Sequence, residues 1–176
     1  MEVPSLVKKI AIVGPESTGK STLAQALAEH YKTVWVPEYA RGYLDQLLIP
    51  YDQSDLIKIA NGQLRLEDEW LNDANKLMLC DTNLIVIKIW SEFKFGTCAA
   101  EILKKMESRK YDLHLLTNID LPWQPDPQRE HPDKRQELFD RYEAELKKQK
   151  INYTIISGAN QGRIESAIKE VDEYLK

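Results

Sequence analysis

Cysteine is scarce in this sequence: only Cys80 and Cys98 occur, neither in a CxxC pair nor beside a histidine cluster. That argues against a disulfide-stapled scaffold or a thiolate metal site, and reads as two reduced thiols in a cytoplasmic protein. Long apolar runs are missing as well, and nothing approaches the ~20 residues of a membrane span. The opening MEVPSLVKKIAIVG is too briefly apolar for a secretory leader. Positive charge is not in excess, since 24 Lys and Arg face 28 Asp and Glu for a net charge of -4. Such a surface does not favour nucleic acid or an anionic membrane, so a small soluble metabolite is the expected partner. No heptad or interface stripe specifies an oligomer.

What is present is an ordinary globular mixture, 43% hydrophobic and 30% charged over 176 residues. A chain of this length is expected to form one domain, 1–176, and to bury roughly two-thirds of its unfolded surface without staples. Ile10 to Val13 is a short β-branched run, the pattern of a strand buried on both faces. A Gly-containing turn follows, then Lys20 to Tyr31 with Leu23, Leu27 and Tyr31 on one helical face. Further strands are predicted at Val34–Val36, Leu77–Cys80, Leu113–Leu116 and Tyr153–Ile156. Ser54 is a plausible N-cap for a long helix carrying Leu56, Ala60, Leu64 and Leu71. Leu84 to Trp90 is read as a helix, although periodicity alone does not decide it. The final helix is expected from about Arg163, with Ile164, Ile168, Val171 and Leu175 as its apolar stripe. Strands alternating with helices imply an α/β fold with a parallel sheet covered on both faces. The stretch 120–135, dense in proline and charge, reads as a long ordered loop of lid type, leading into a helix over about Pro132 to Lys148.

Gly14-Pro15-Glu16-Ser17-Thr18-Gly19-Lys20-Ser21 matches GxxxxGK[ST], the P-loop or Walker A pattern, between a predicted strand and a predicted helix. Its glycines let backbone N–H groups turn toward phosphate oxygens, and the helix start adds unpaired donors and a positive dipole end. Lys20 is placed for the β- and γ-phosphates of ATP, Ser21 for Mg²⁺, and Thr22 lies within the same cradle. Asp81, at the C-terminal end of a buried strand, is the candidate second magnesium ligand. A strand-ending Asp in a turn is the plain alternative. Glu38-Tyr39-Ala40-Arg41 follows the second strand at the same sheet edge. There a carboxylate can take or orient a hydroxyl proton, and Arg41 can neutralise phosphoryl charge or fix a neighbouring carboxylate. The plain alternative is a surface ion pair. The Pro-rich loop carries Trp123, suited to stacking on a flat ring, with Asp126, Arg129 and Arg135. Its arginines suit closure over phosphates. Otherwise this is a solvated loop whose tryptophan plugs the core.

In order along the chain, these motifs resemble the ribosylnicotinamide kinase domain of the NadR family. That family shows a GxESSGKS-type P-loop, Glu-Tyr-x-Arg after strand two, Asp-Thr-Asp after strand three and a late Trp-x-x-Asp-Gly-x-Arg segment. Here they read Gly14 to Ser21, Glu38 to Arg41, Asp81-Thr82-Asn83 and Trp123 to Arg129. The resemblance implies a three-layer, nucleotide-kinase-like P-loop NTPase fold with a lid. Its five-stranded parallel sheet would set the Asp81 strand beside the P-loop strand. It also implies ATP and Mg²⁺, and phosphorylation of nicotinamide riboside to the mononucleotide in NAD biosynthesis. It implies that Trp123 stacks on the nicotinamide ring. By analogy with deoxynucleoside kinases, Glu38 is the first choice of base and Asp81 the second. Three departures stand out: Asn83 replaces an Asp, Pro127 replaces the lid glycine, and no HxGH segment is present, so the dinucleotide is not an expected product. A contrasting reading is a nucleotide-dependent switch, since Thr117-Asn118-Ile119-Asp120 sits where GTPases carry their guanine-reading motif, but it lacks the lysine.

Overall fold

The computed structural model describes residues 7–176, so the leader reading of residues 1–6 lies outside the described residues. The β-branched runs form strands β1 (Lys8–Val13), β2 (Trp35–Val36), β3 (Leu77–Asp81), β4 (Leu113–Thr117) and β5 (Tyr153–Ile156). All pair in parallel in the order β2-β3-β1-β4-β5. Ile12, near the end of β1, is in register with Asp81 on one side and Leu115 on the other. The Asp81 strand is therefore the P-loop strand's neighbour, as the resemblance implied.

Helices cover both faces. Ile10, Ile12, Leu79 and Leu115 pack on Leu23 and Leu27 of α1 (Lys20–Tyr31) and on Ala167 and Val171 of α7 (Asn160–Leu175). Ala11, Val13, Cys80 and Leu116 pack on the opposite face. Their partners are Ile85 and Ile89 of α4 (Leu84–Phe95) and Leu138, Tyr142 and Leu146 of α6 (Arg135–Lys148). Apolar side chains on both sides of each strand are what produced the continuous runs in the sequence. A third cluster joins α4 to α2 (Tyr39–Asp45), α3 (Gln53–Trp70) and α5 (Ala100–Ser108) through Ala40, Leu56, Ile59, Ile87 and Ile102.

Several expectations need correction. The N-cap of α3 is Asp52, not Ser54: the Asp52 carboxylate accepts from the N–H groups of Ser54 and Asp55, and Asp55 returns a bond to the Asp52 N–H. That reciprocal pair satisfies more orphan donors than a lone hydroxyl. Helix α7 begins at Asn160, earlier than expected; of its expected stripe Val171 is buried, Ile164 and Ile168 pack half-buried on the core and Leu175 is 41% exposed, while Ala167 adds to the buried face. Helices α2 and α5 were not foreseen. The Leu84 helix is present and extends to Phe95. Pro127 takes the second position of a turn closed by the Arg129 N–H on the Asp126 carbonyl. Proline's fixed φ suits that position, which makes the replaced glycine unnecessary.

Candidate functional site

Because the sheet is parallel, every strand delivers its following loop to one edge. Gly14 follows β1, Glu38 follows β2, Asp81 ends β3 and Asn118 follows β4. Of these, Gly14 and Glu38 line a cavity of about 650 Å³.

The loop after β1 passes very close to β4. Gly14 has φ +145, and a Cβ there would lie 2.3 Å from Thr117 Oγ1, so no other residue fits without displacement. Gly19, at φ +74, caps α1 in the left-handed region that glycine enters at little cost. Thr18 Oγ1 donates to the Pro15 carbonyl (2.7 Å) and lies 2.7 Å from Thr117 Oγ1, fixing the loop on its inner side. Lys20 Nζ folds back to donate to the Pro15 carbonyl at 2.7 Å. Burial holds the Lys20 ammonium below its usual range, opposed by the carboxylates of Glu38, Asp81 and Glu16. Burial also pushes the Glu38 carboxyl up, with Lys20 pulling it back. Asp81, 1% exposed, is raised by burial and steadied by Ser21. One ammonium is thus opposed by three carboxyl groups, of which Glu16 and Glu38 line the cavity with it.

The Ser21 hydroxyl donates to Asp81 Oδ2 at 2.5 Å, while Asp81 Oδ1 is buried without a partner among the described residues. A hydroxyl oxygen beside an unsatisfied buried carboxylate oxygen is a donor set that fits a hard divalent cation. No group of three His, Cys, Asp or Glu that could hold a metal occurs among the described residues. Such a cation would therefore need most of its ligands from water and substrate oxygens.

The 120–135 segment lies against the P-loop. Gln124 N–H donates to Ser17 Oγ (2.8 Å), and the N–H groups of Glu130 and His131 donate to the Glu16 carboxylate (3.2 and 3.0 Å). Arg129 lines the cavity and donates to the Gln124 carbonyl, and Arg135 donates to the Leu121 and Ser17 carbonyls. Arg41, also on the cavity wall, pairs with Asp126 at 2.8 Å, fixing a carboxylate as the sequence allowed. Asp126 faces this arginine and Trp123 lies under the Arg135 guanidinium, 5.9 Å from it; neither lines the cavity. Tyr39 lies against Gly62 of α3 and is also off the wall. The structure therefore brings Lys20, Ser21, Glu38, Arg41 and Arg129 to one cavity with Asp81 behind Ser21, but not Trp123, Tyr39 or Asp126. The aromatic wall comes instead from Trp90 and Phe93 of α4 and Tyr142 of α6, which sequence reasoning missed.

Arg163 was missed too. It is 4% exposed, and its guanidinium donates to the carbonyls of Thr18, Asn118 and Gly158 and to the Asp120 carboxylate. Asn83 caps α4 away from the cavity, its Oδ1 accepting from the Ile85 N–H (3.0 Å). The carboxylate lost at that position is therefore not one the cavity uses.

The cavity has two sides, set by strand order. On the β2–β3 side of the P-loop stand Glu38, Arg41, Trp90 and Phe93; on the β4–β5 side stand Leu121, Ala159, Asn160 and Arg163.

The family model described as an AAA domain matches residues 9–163. The Trifunctional NAD biosynthesis/regulator protein NadR of Escherichia coli (strain K12) is 31% identical over 129 residues, covering 70% of this chain and 31% of that protein. The Salmonella typhimurium protein of the same description matches equally. The chain spans about a third of the length of these curated relatives. Among solved structures, NadR protein in complex with NAD and AMP-PNP superposes with a TM-score of 0.76 at 22% identity, over 96% of this chain and 49% of that one. Thymidylate kinase from Ehrlichia chaffeensis superposes with a TM-score of 0.68 at 15% identity, over 97% of this chain and 99% of that one. These likenesses establish a nucleotide-kinase-like P-loop fold.

Proposed function

The chain belongs to the AAA domain family, and from that premise we propose that it is an ATP- and Mg²⁺-dependent kinase for a small nucleoside, nicotinamide riboside first. The observation that carries the reading is the meeting of Lys20, Glu38 and the Ser21–Asp81 pair at the end of a parallel sheet. The β4–β5 side, with Arg163 and Asn160, is assigned to the nucleotide. The β2–β3 side, with aromatic Trp90 and Phe93, is assigned to the acceptor. A similar protein, NadR, has been solved in complex with NR, and that supports the choice of first substrate.

The P-loop amides and Lys20 hold the triphosphate tail and offset the charge that builds during transfer. Ser21 and Asp81 would hold Mg²⁺, which supplies charge neutralisation at the phosphates. Since Asp81 is engaged by Ser21, Glu38 is the carboxylate left to accept the acceptor hydroxyl's proton. Its raised pKa suits a base, because a carboxylate of higher pKa takes up a proton more readily than an ordinary one does. Residues 120–135 act as the lid, with Arg129 turning from the Gln124 carbonyl to the phosphates. A guanine-reading switch is disfavoured, because Asp120 is tied to Arg163 (2.7 Å) and to the Gly158 N–H (2.6 Å).

The test is incubation with ATP, Mg²⁺ and nicotinamide riboside, with detection of the mononucleotide by mass spectrometry. Absence of that product retires the named acceptor. Inertness toward a nucleoside panel as well retires the kinase reading.

A further inference from the structure

A second cavity opens at the opposite edge of the sheet. It holds about 390 Å³ and is bounded by the residues that lead into β4 and β5 and by the start of α4. A volume of this size falls within the range of small-molecule sites. Its wall includes His114, the second residue of β4, which is 2% exposed.

The protonation of His114 follows from its neighbour. Asn83 Oδ1 is committed to the Ile85 N–H as the α4 cap, so Asn83 presents its NH₂ to His114 Nε2 at 2.9 Å. Nε2 must then accept, and a neutral imidazole carries its single proton on Nδ1. Burial lowers the His114 pKa to about 4, consistent with the neutral ring. His114 Nδ1 has no partner among the described residues. It is therefore a buried N–H donor that lacks an acceptor.

Leu84, Met106 and Ile151 line the same cavity as His114 and give it an apolar sleeve, and the Tyr111 ring stands edge-on to the imidazole with centroids 5.4 Å apart. At the exposed mouth stand Lys110 and Lys150, neither in a salt bridge among the described residues, with Glu107 as the one acidic neighbour on the wall. Arg109 is already held by both oxygens of Asp68.

We infer that this cavity is a second ligand site, for a flat ring bearing a carbonyl or ring-nitrogen acceptor and an anionic tail, the chemistry of a nucleoside monophosphate. The ring's acceptor takes the His114 Nδ1 proton, the sleeve covers its faces, and the tail meets Lys110 and Lys150. This site is separate from the P-loop cavity and does not depend on the reaction proposed there.

Three histidines make the test direct: His114 in the second cavity, His131 on the wall of the first, and His30 exposed on α1. The chain with ¹⁵N-labelled histidine is titrated with uridine 5′-monophosphate, following each imidazole by NMR. The inference requires a saturable shift of the His114 Nδ1 resonance, whatever His131 does. It also requires that Lys110→Glu with Lys150→Glu raise the half-saturation concentration by roughly tenfold, the effect of a modest free-energy change. Both lysines are exposed, so the double variant keeps its fold. A His114 resonance unmoved at millimolar nucleotide would mean that water alone satisfies the imidazole, and overturns the site. So does a His114 shift that ignores the two lysines, or movement of His131 alone.

Discussion

One guanidinium ties three strand ends together at the phosphate edge. Arg163 spans the carbonyls of Thr18, Asn118 and Gly158, which follow β1, β4 and β5. Arg163→Met leaves those acceptors unpaired, so a loss of about 2 kcal/mol is expected in denaturant unfolding, together with a smaller rise in Tm on adding ATP. Arg163→Lys should recover little of either, since an ammonium cannot reach all four partners in one plane. Lys20→Ala is expected to leave the far-ultraviolet circular dichroism unchanged and to abolish transfer. Glu38→Gln should lower kcat by about 10²–10⁴ while leaving ATP binding intact. Because burial raises the Glu38 pKa, and a base works only when ionised, kcat/KM should climb as pH rises through that shifted value. The Glu38→Gln variant should lose this limb, and a limb that persists would assign the proton to another group. The sequence displayed Gly14 to Thr22, Glu38 and Asp81 because each belongs to a contiguous motif or a strand end. Arg163, Trp90, Phe93 and Tyr142 lie in ordinary helical stretches, and only the packing of α4, α6 and α7 brings them together.

At the level of the element, legibility followed the amount of buried surface. Helix α1 and the strands declared themselves through apolar spacing. Helix α2 has seven residues with only Ala40 buried, and α5 buries only Ile102, so neither repeats an apolar face that a sequence can show. The start of α3 was misplaced by two residues because Asp52, Ser54 and Asp55 are all plausible caps, and the choice rests on the backbone. Asp55 accepts from the Asp52 N–H, the Tyr43 hydroxyl and Lys58, which hold its pKa down to about 2. Asp55→Ala is expected to cost about 1–2 kcal/mol in thermal unfolding. The sign for pH follows: a depressed carboxylate stabilises fully above its unfolded pKa near 4. That share is lost as pH falls toward 2, so parent and variant should converge in acid.

Across the whole molecule, the parallel sheet buries groups that titrate out of step with the unfolded chain. His114 takes up its proton near pH 4 when folded and near 6.5 when unfolded. Between those values the unfolded chain holds more protons, so this residue's contribution to stability falls as pH falls from 6.5 to 4. Buried Glu38, Glu67 and Asp81, all raised, act in the opposite sense. The comparison with His114→Gln isolates the histidine, and equal slopes of unfolding free energy over that window would contradict its neutral burial. Strand order has a consequence of another kind. The two flanks of the P-loop cavity hang from different pairs of strands, with β1 between them. Under the proposed assignment, substitution at Trp90, Phe93 or Arg41 changes the acceptor flank while Arg163 and Asn160 on the nucleotide flank stay untouched. Under that assignment, acceptor choice can change on this scaffold while the hold on the phosphate donor is kept.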